Sequence, residues 1–176
     1  MPNKRVRMMT EMGLAVALSV VLNFFRLWKM PQGGSVSLEM MPILIIALRW
    51  GGFPGMLTGF IYGLAQLMFD AYIVHPVQLL LDYPVAYMLL GLAGFIVIKN
   101  RSQRLFYYTA FAGVLIGGFG RFLSHLLSGV IFFGHYAPEG QNVWLYSTIY
   151  NGSFILPSLI VSFIIIIPLY KALDMN

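Results

Sequence analysis

The sequence predicts an all-α fold: an integral membrane bundle of six transmembrane helices with both termini cytoplasmic. Three observations carry that prediction. Six apolar stretches separated by short breaks fill almost all of the 176 residues, and the breaks hold nearly every charge. Hydrophobic residues make up 59% and Asp, Glu, Lys and Arg only 10%, with mean hydropathy +0.80. A soluble fold this small leaves too much area exposed to hide that composition. The runs are long and rich in Leu, Ile and Phe, without the period-two alternation of an outer-membrane barrel. In a bilayer only helices or closed barrels satisfy the backbone.

Each stretch reads as one helix. Helix 1 runs from Met8 to Leu27. It has the basic start of a signal peptide (Lys4, Arg5, Arg7) but is too long, and no small-residue cleavage site follows. Helix 2, Leu38 to Leu48, is short of the roughly 20 apolar residues that span a bilayer. Helices 3 to 6 run from Pro54 to Ile73, Pro76 to Ile98, Leu105 to Phe133, and Val143 to Leu173. Residues 1–176 read as a single transmembrane domain.

The basic residues orient the bundle. With six spans, Lys4, Arg5, Arg7, Arg49, Lys99, Arg101, Arg104 and Lys171 share one side, and only Arg26 and Lys29 lie on the other. The richer side is cytoplasmic. Net charge is +5, but it is spread over helix ends rather than gathered in a nucleic-acid-binding patch. There is no cysteine, so disulfides and thiolate metal sites are excluded.

Small residues recur at helical spacing, which in lipid lets backbones approach closely. Gly55, Gly59 and Gly63 on helix 3, and Gly113 and Gly117 on helix 5, predict internal packing. Gly13 and Ala17 on helix 1 suit either packing or an external partner.

Ionisable groups inside spans are costly and point to function. Asp82, followed by Tyr83, lies within helix 4. It is either a ligand anchor or the partner of an internal ion pair with Arg121. Arg121, His125 and Gly129 share a face of helix 5. His125 either stacks on or hydrogen-bonds a ligand, or is an interhelical contact; Arg121 reads as structural. Gly129 leaves room for something flat. Tyr146, Tyr150 and Asn151 open helix 6. The tyrosines also fit an interfacial aromatic belt, the better reading for Tyr150, whereas Asn151 needs partners for its amide. Asn151-Gly152-Ser153 has the form of a glycosylation site but stands inside a span. On helix 3, Tyr62, Gln66 and Asp70 form a polar line, with Tyr72 within reach of the same space. His75 and His135 read as solvated loop histidines. These groups converge toward one membrane face, the usual make-up of a small-molecule pocket, here suited to a flat, cationic or aminated heterocycle.

No Walker A, HExxH or GxSxG motif occurs, no span carries a carboxylate cluster for a metal, and the halves show no repeat. Neither an enzyme nor a metal or other cofactor is expected. A pocket without an engine suggests partner subunits.

Several strings carry a resemblance: Met30-Pro31-Gln32-Gly33-Gly34-Ser35-Val36-Ser37, His75-Pro76-Val77-Gln78-Leu79-Leu80-Leu81-Asp82-Tyr83, Phe132-Phe133-Gly134-His135-Tyr136-Ala137-Pro138, and Tyr146-Ser147 with Tyr150-Asn151-Gly152. With them the chain resembles, nearly end to end, the thiamine-specific substrate-binding (S) component of bacterial energy-coupling factor (ECF) vitamin transporters. The resemblance implies a protein of the bacterial plasma membrane that captures thiamine from outside. It would dock on a transmembrane coupling protein and two cytosolic ATPases, whose ATP hydrolysis drives uptake. Asp82 stands where the family often has Glu and would accept from the aminopyrimidine. Tyr83, Tyr72, Tyr146, Asn151, His125 and Gly129 match pocket positions, and Arg121 stands where a Lys can occur. Phe133 and Tyr62 replace stacking tryptophans of some members, as Gly33 does in the first outer loop, where Trp28 is a candidate substitute. Gly13 and Ala17 match the family's small-residue docking surface for the coupling protein. The alternatives are an S component for another vitamin or a thiamine precursor, a small intramembrane enzyme using Asp82 and His125, and a structural subunit that binds no ligand.

Overall fold

The computed structural model describes residues 3–69, 71–97 and 103–172. Among the described residues six helices form the bundle: α1 (Lys4–Phe24), α2 (Met40–Trp50), α3 (Gly52–Gln66), α4 (Pro76–Ile96), α5 (Gln103–Phe132) and α6 (Val143–Ala172). Four of them, α1, α4, α5 and α6, are long and apolar enough to cross a membrane unaided. By their residue counts α2 is about 16 Å long and α3 about 22 Å, less than the roughly 30 Å hydrocarbon core. Gly51 alone separates them, at φ 105°, which suits a residue without a Cβ. They therefore form one tight helical hairpin.

Apolar exposure follows the lipid solvent. Leu14, Leu18 and Val21 of α1 and Leu156, Ile160 and Ile164 of α6 are exposed. The opposite stripe of α1 is buried: Met12, Ala15, Ser19 and Asn23, spaced three and four residues apart as one helix face requires. Gly13 and Ala17 lie on the outward side, and a Cβ at Gly13 would meet nothing within 4 Å.

Two helix ends depart from expectation. Helix 1 stops at Phe24 because β1 (Arg26–Lys29) pairs antiparallel with β2 (Ser35–Ser37). This hairpin is too short to leave an alternating pattern. Its turn places Gly33 and Gly34 at φ 90° and 83°, closed by Met30 N–H donating to the Gly34 carbonyl at 3.0 Å. Helix 3 stops at Gln66 rather than Ile73. His75 is extended ahead of Pro76, and its Nδ1 caps α4 by accepting from Val77 N–H at 3.1 Å, so the chain cannot stay helical into Pro76. His75 also stacks on Phe132, centroids 5.0 Å apart; it is exposed, but it has a structural task. Asp70, Lys99 and Arg101 lie outside the described residues, as does the segment expected to end helix 6 at Leu173.

The glycine stripes of helices 3 and 5 both pack on α4. A Cβ at Gly63 would stand 2.6 Å from Pro84 Cα, and one at Gly59 would run into the Tyr87 carbonyl. From the other side, a Cβ at Gly117 would lie 2.6 Å from the Leu90 carbonyl. All three obstacles are backbone, which cannot swing aside, so α4 is held between α3 and α5 at contact distance. Gly59→Val is expected to lower stability by about 1–3 kcal/mol, the usual range for overpacking. Thermal unfolding in detergent micelles measures it.

Candidate functional site

A cavity of about 210 Å³ opens at the hairpin end of the bundle, between the hairpin and α3 to α6. One wall comes from an irregular turn. Residues Leu81–Val85 form a π-helical turn with Pro84 inside it. Proline has no N–H to donate to the carbonyl four residues back, and a wider turn is one way to absorb that loss. Ser124 Oγ on α5 donates to the Leu81 carbonyl at 2.6 Å. The local distortion carries Asp82 and Tyr83, and both face the cavity.

Asp82 is held from three directions. Oδ1 lies 3.0 Å from His125 Nδ1. Oδ2 accepts from Gln78 Nε2 at 2.7 Å and from Ser128 Oγ at 2.8 Å. A carboxylate offers about four acceptor positions, so one remains for a ligand N–H. The tautomer of His125 follows from its other side. Arg121 Nε, which can only donate, faces His125 Nε2 at 3.4 Å. Nε2 is therefore the acceptor, and Nδ1 carries the proton that points to Asp82.

Arg121 does not pair with Asp82. Its Nη2 donates to Tyr87 Oη at 2.9 Å and to Glu39 Oε1 at 3.3 Å, and its guanidinium lies 4.2 Å from the Tyr87 ring centroid. Tyr87 donates to Glu39 Oε1 at 2.5 Å, and Tyr62 donates to Glu39 Oε2 at 2.9 Å. Glu39, Tyr87 and Arg121 thus form a buried charged wall of the cavity, joined to Asp82 through His125. Charges so placed stand only when paired and hydrogen-bonded.

Most of the residues expected at the site line this one cavity: Asp82, Tyr83, Tyr72, Arg121, His125, Gly129, Phe133, Tyr146 and Asn151. Tyr62 does not. It is fully buried behind the wall, edge-on to Tyr87 at 4.7 Å, because it lies on the α3 face that packs against α4. Gly129 lines the cavity, yet a Cβ there would collide with Ser147 Oγ. The space it leaves is thus filled by α6 rather than kept for something flat. Asn151 Nδ2 donates to the Ser147 carbonyl at 2.9 Å and the His125 carbonyl at 3.3 Å. Trp28 is exposed on β1 and is not part of the lining, so it does not replace the absent loop indole. The aromatic walls are Tyr72 and Phe133, 6.0 Å apart, and Tyr146 and Tyr150, 5.9 Å apart.

Tyr150 is more than an interfacial ring. Its hydroxyl accepts from Gln32 N–H and donates to the Gly33 carbonyl, both at 3.0 Å, which fastens the hairpin turn to α6. On the far side Tyr83 Oη accepts from Tyr72 N–H at 2.7 Å, and the Tyr72 and Tyr136 hydroxyls are 3.3 Å apart. The sequence reading did not single out Glu39, Tyr87, Ser128 or Ser147, and it gave Gln78 no part in the site. Glu39 carried a usable signal: beside an apolar run, it is an acidic residue that a buried Arg121 could take in place of Asp82.

Comparisons with known proteins agree across the chain. A family model described as thiamine transporter protein matches residues 9–175. The thiamine transporter ThiT of Bacillus subtilis (strain 168) is 36% identical over 177 residues, covering 96% of this chain and 92% of that protein. Its counterpart from Lacticaseibacillus paracasei is 29% identical, covering 93% and 87%. A solved structure of ThiT from Listeria monocytogenes matches with TM-score 0.86 at 32% identity, over 97% of this chain and 96% of that one.

Proposed function

The chain belongs to the thiamine transporter protein family, and from that premise we propose that its cavity captures thiamine from outside the cell, as the membrane-embedded S component of an ATP-driven ECF importer. This is a transport family rather than an enzyme family, and the protein is a multi-pass membrane protein. The bacterial plasma membrane, with both termini in the cytoplasm, fits the source organisms of the relatives and the excess of basic residues on one side. Residues 1–176 act as one substrate-binding domain in this reading.

The observation that carries it is the Asp82 carboxylate, set in a membrane-crossing helix and turned into an aromatic-walled cavity. Thiamine offers an aminopyrimidine N–H for the open acceptor position of Asp82. The flat rings and the positive charge of its thiazolium suit Tyr72, Phe133, Tyr146 and Tyr150, since cations are drawn to aromatic faces. His125 and Asn151 border the same space. Import needs energy, which a transmembrane coupling protein and two ATPase subunits would supply. The outward Gly13 and Ala17 of α1 offer the coupling protein a close approach.

A competition panel tests the ligand. Thiamine is expected to quench or shift the intrinsic fluorescence of the purified protein. Free aminopyrimidine should compete weakly, and riboflavin and biotin not at all. Preference for any vitamin lacking the aminopyrimidine contradicts the assignment.

A further inference from the structure

We propose that Gln78 is the positioning residue of the site: it fixes the orientation of Asp82 and ties that carboxylate to the backbone of the Tyr72 wall. The proposal rests on the thiamine reading above and names a residue that reading does not use.

The side chain of Gln78 is 1% exposed, and every polar position is accounted for. Its Nε2 donates to Asp82 Oδ2 at 2.7 Å and to the Tyr72 carbonyl at 3.0 Å. Its Oε1 accepts from Val74 N–H at 3.0 Å. The three partners fix the amide orientation, because a flipped amide would set its oxygen against a carboxylate and a carbonyl while an NH₂ faced an N–H. Gln78 and Asp82 are four residues apart on α4, so they meet on one helix face. Residues 71–75 have no regular structure. Gln78 supplies backbone partners for two of them, and Tyr83 Oη supplies another at Tyr72 N–H. One amide therefore sets both the carboxylate that takes the ligand N–H and the segment carrying an aromatic wall.

Other donors also hold Asp82: His125 Nδ1 and Ser128 Oγ, with Arg121 behind His125. Among these partners only Gln78 also reaches the Tyr72 segment. A mere packing role would need no donor there, and Met of similar size would serve. A positioning role needs the N–H bonds.

The test compares thiamine with its analogue lacking the pyrimidine amino group, by calorimetry on purified wild type, Gln78→Met and Gln78→Glu. Wild type should prefer thiamine strongly. Gln78→Met is expected to lose thiamine affinity at least about tenfold and to weaken the analogue less, only through the loosened Tyr72 wall, so that the preference ratio falls; a tenfold loss matches one hydrogen-bonded contact. Gln78→Glu turns both donor contacts into oxygen–oxygen repulsions and should reduce the ratio further. Equal losses for both ligands, or unchanged thiamine affinity in Gln78→Met, overturn the proposal. Hydrogen exchange at the Val74 amide, whose acceptor is Gln78 Oε1, gives a second readout: faster exchange in Gln78→Met supports the tie, and unchanged exchange overturns it. Should wild type bind no thiamine, the ligand reading fails instead, and the exchange result alone then decides the role of Gln78.

Discussion

Asp82→Ala is expected to weaken thiamine binding about thirty- to several-thousand-fold, the range for removing one member of a buried charge-assisted contact, ~2–5 kcal/mol. The size follows from what the substitution strands. Besides the ligand N–H, it leaves His125 Nδ1, Gln78 Nε2 and Ser128 Oγ without their acceptor, and each orphaned buried donor costs about 1–3 kcal/mol. Part of the effect therefore appears as lost stability, which Asp82→Asn separates. That variant keeps the shape and one oxygen, but its NH₂ must face one of the existing donors. It should fold with a modest loss of thermal stability and still lose most of its affinity. Equilibrium titration of both variants beside wild type measures this, and near-wild-type affinity in Asp82→Asn would mean that the ligand does not meet the carboxylate.

Arg121→Met should cost about 3–5 kcal/mol of folding stability, because it leaves the Glu39 carboxylate buried and uncompensated. Glu39 is 2% exposed and Arg121 3%, so neither can turn to water. The double replacement Glu39→Met with Arg121→Met is expected to recover much of the loss, as apolar substitutes for a buried pair often do. Recovery stays incomplete because Tyr62 and Tyr87 both donate to Glu39 and would lose their acceptor. A double-mutant cycle by thermal unfolding checks the claim. Additive losses with no recovery would show that the two side chains do not act as a pair. Arg121→Met also frees His125 Nε2, so ligand affinity should fall in the single variant even where the fold survives.

Much of this site was legible as chemistry out of place. An Asp, an Arg, a His and an Asn inside apolar helices are conspicuous because lipid penalises them, and the structure gathers Asp82, Arg121, His125 and Asn151 around one cavity. The glycine stripes were legible for a similar reason, since spacing alone puts them on one face. The partners were not. An ion pair between Asp82 and Arg121 stayed open as an alternative because sequence gives charge but no distance, and Glu39, 82 positions from Arg121, could be matched only by the folded bundle. Ser128 escaped notice, and Gln78 was given no part in the site, because a Gln or Ser in an apolar helix is unremarkable until it is seen to hold a carboxylate. The β1–β2 hairpin was illegible for want of length. Tyr62 misled because its spacing matched Gln66, which does line the cavity, while the packing of α3 on α4 turned its ring into the core.

The most direct measurement is a calorimetric titration of thiamine into the purified wild-type protein in detergent. A captured vitamin requires one site per chain and a Kd in the nanomolar class, about −12 kcal/mol. The heat should vanish when the same titration is run on Asp82→Asn. Absence of heat with the folded wild type up to about millimolar thiamine, where binding is worth only about −4 kcal/mol, would contradict the assignment of the cavity to this ligand.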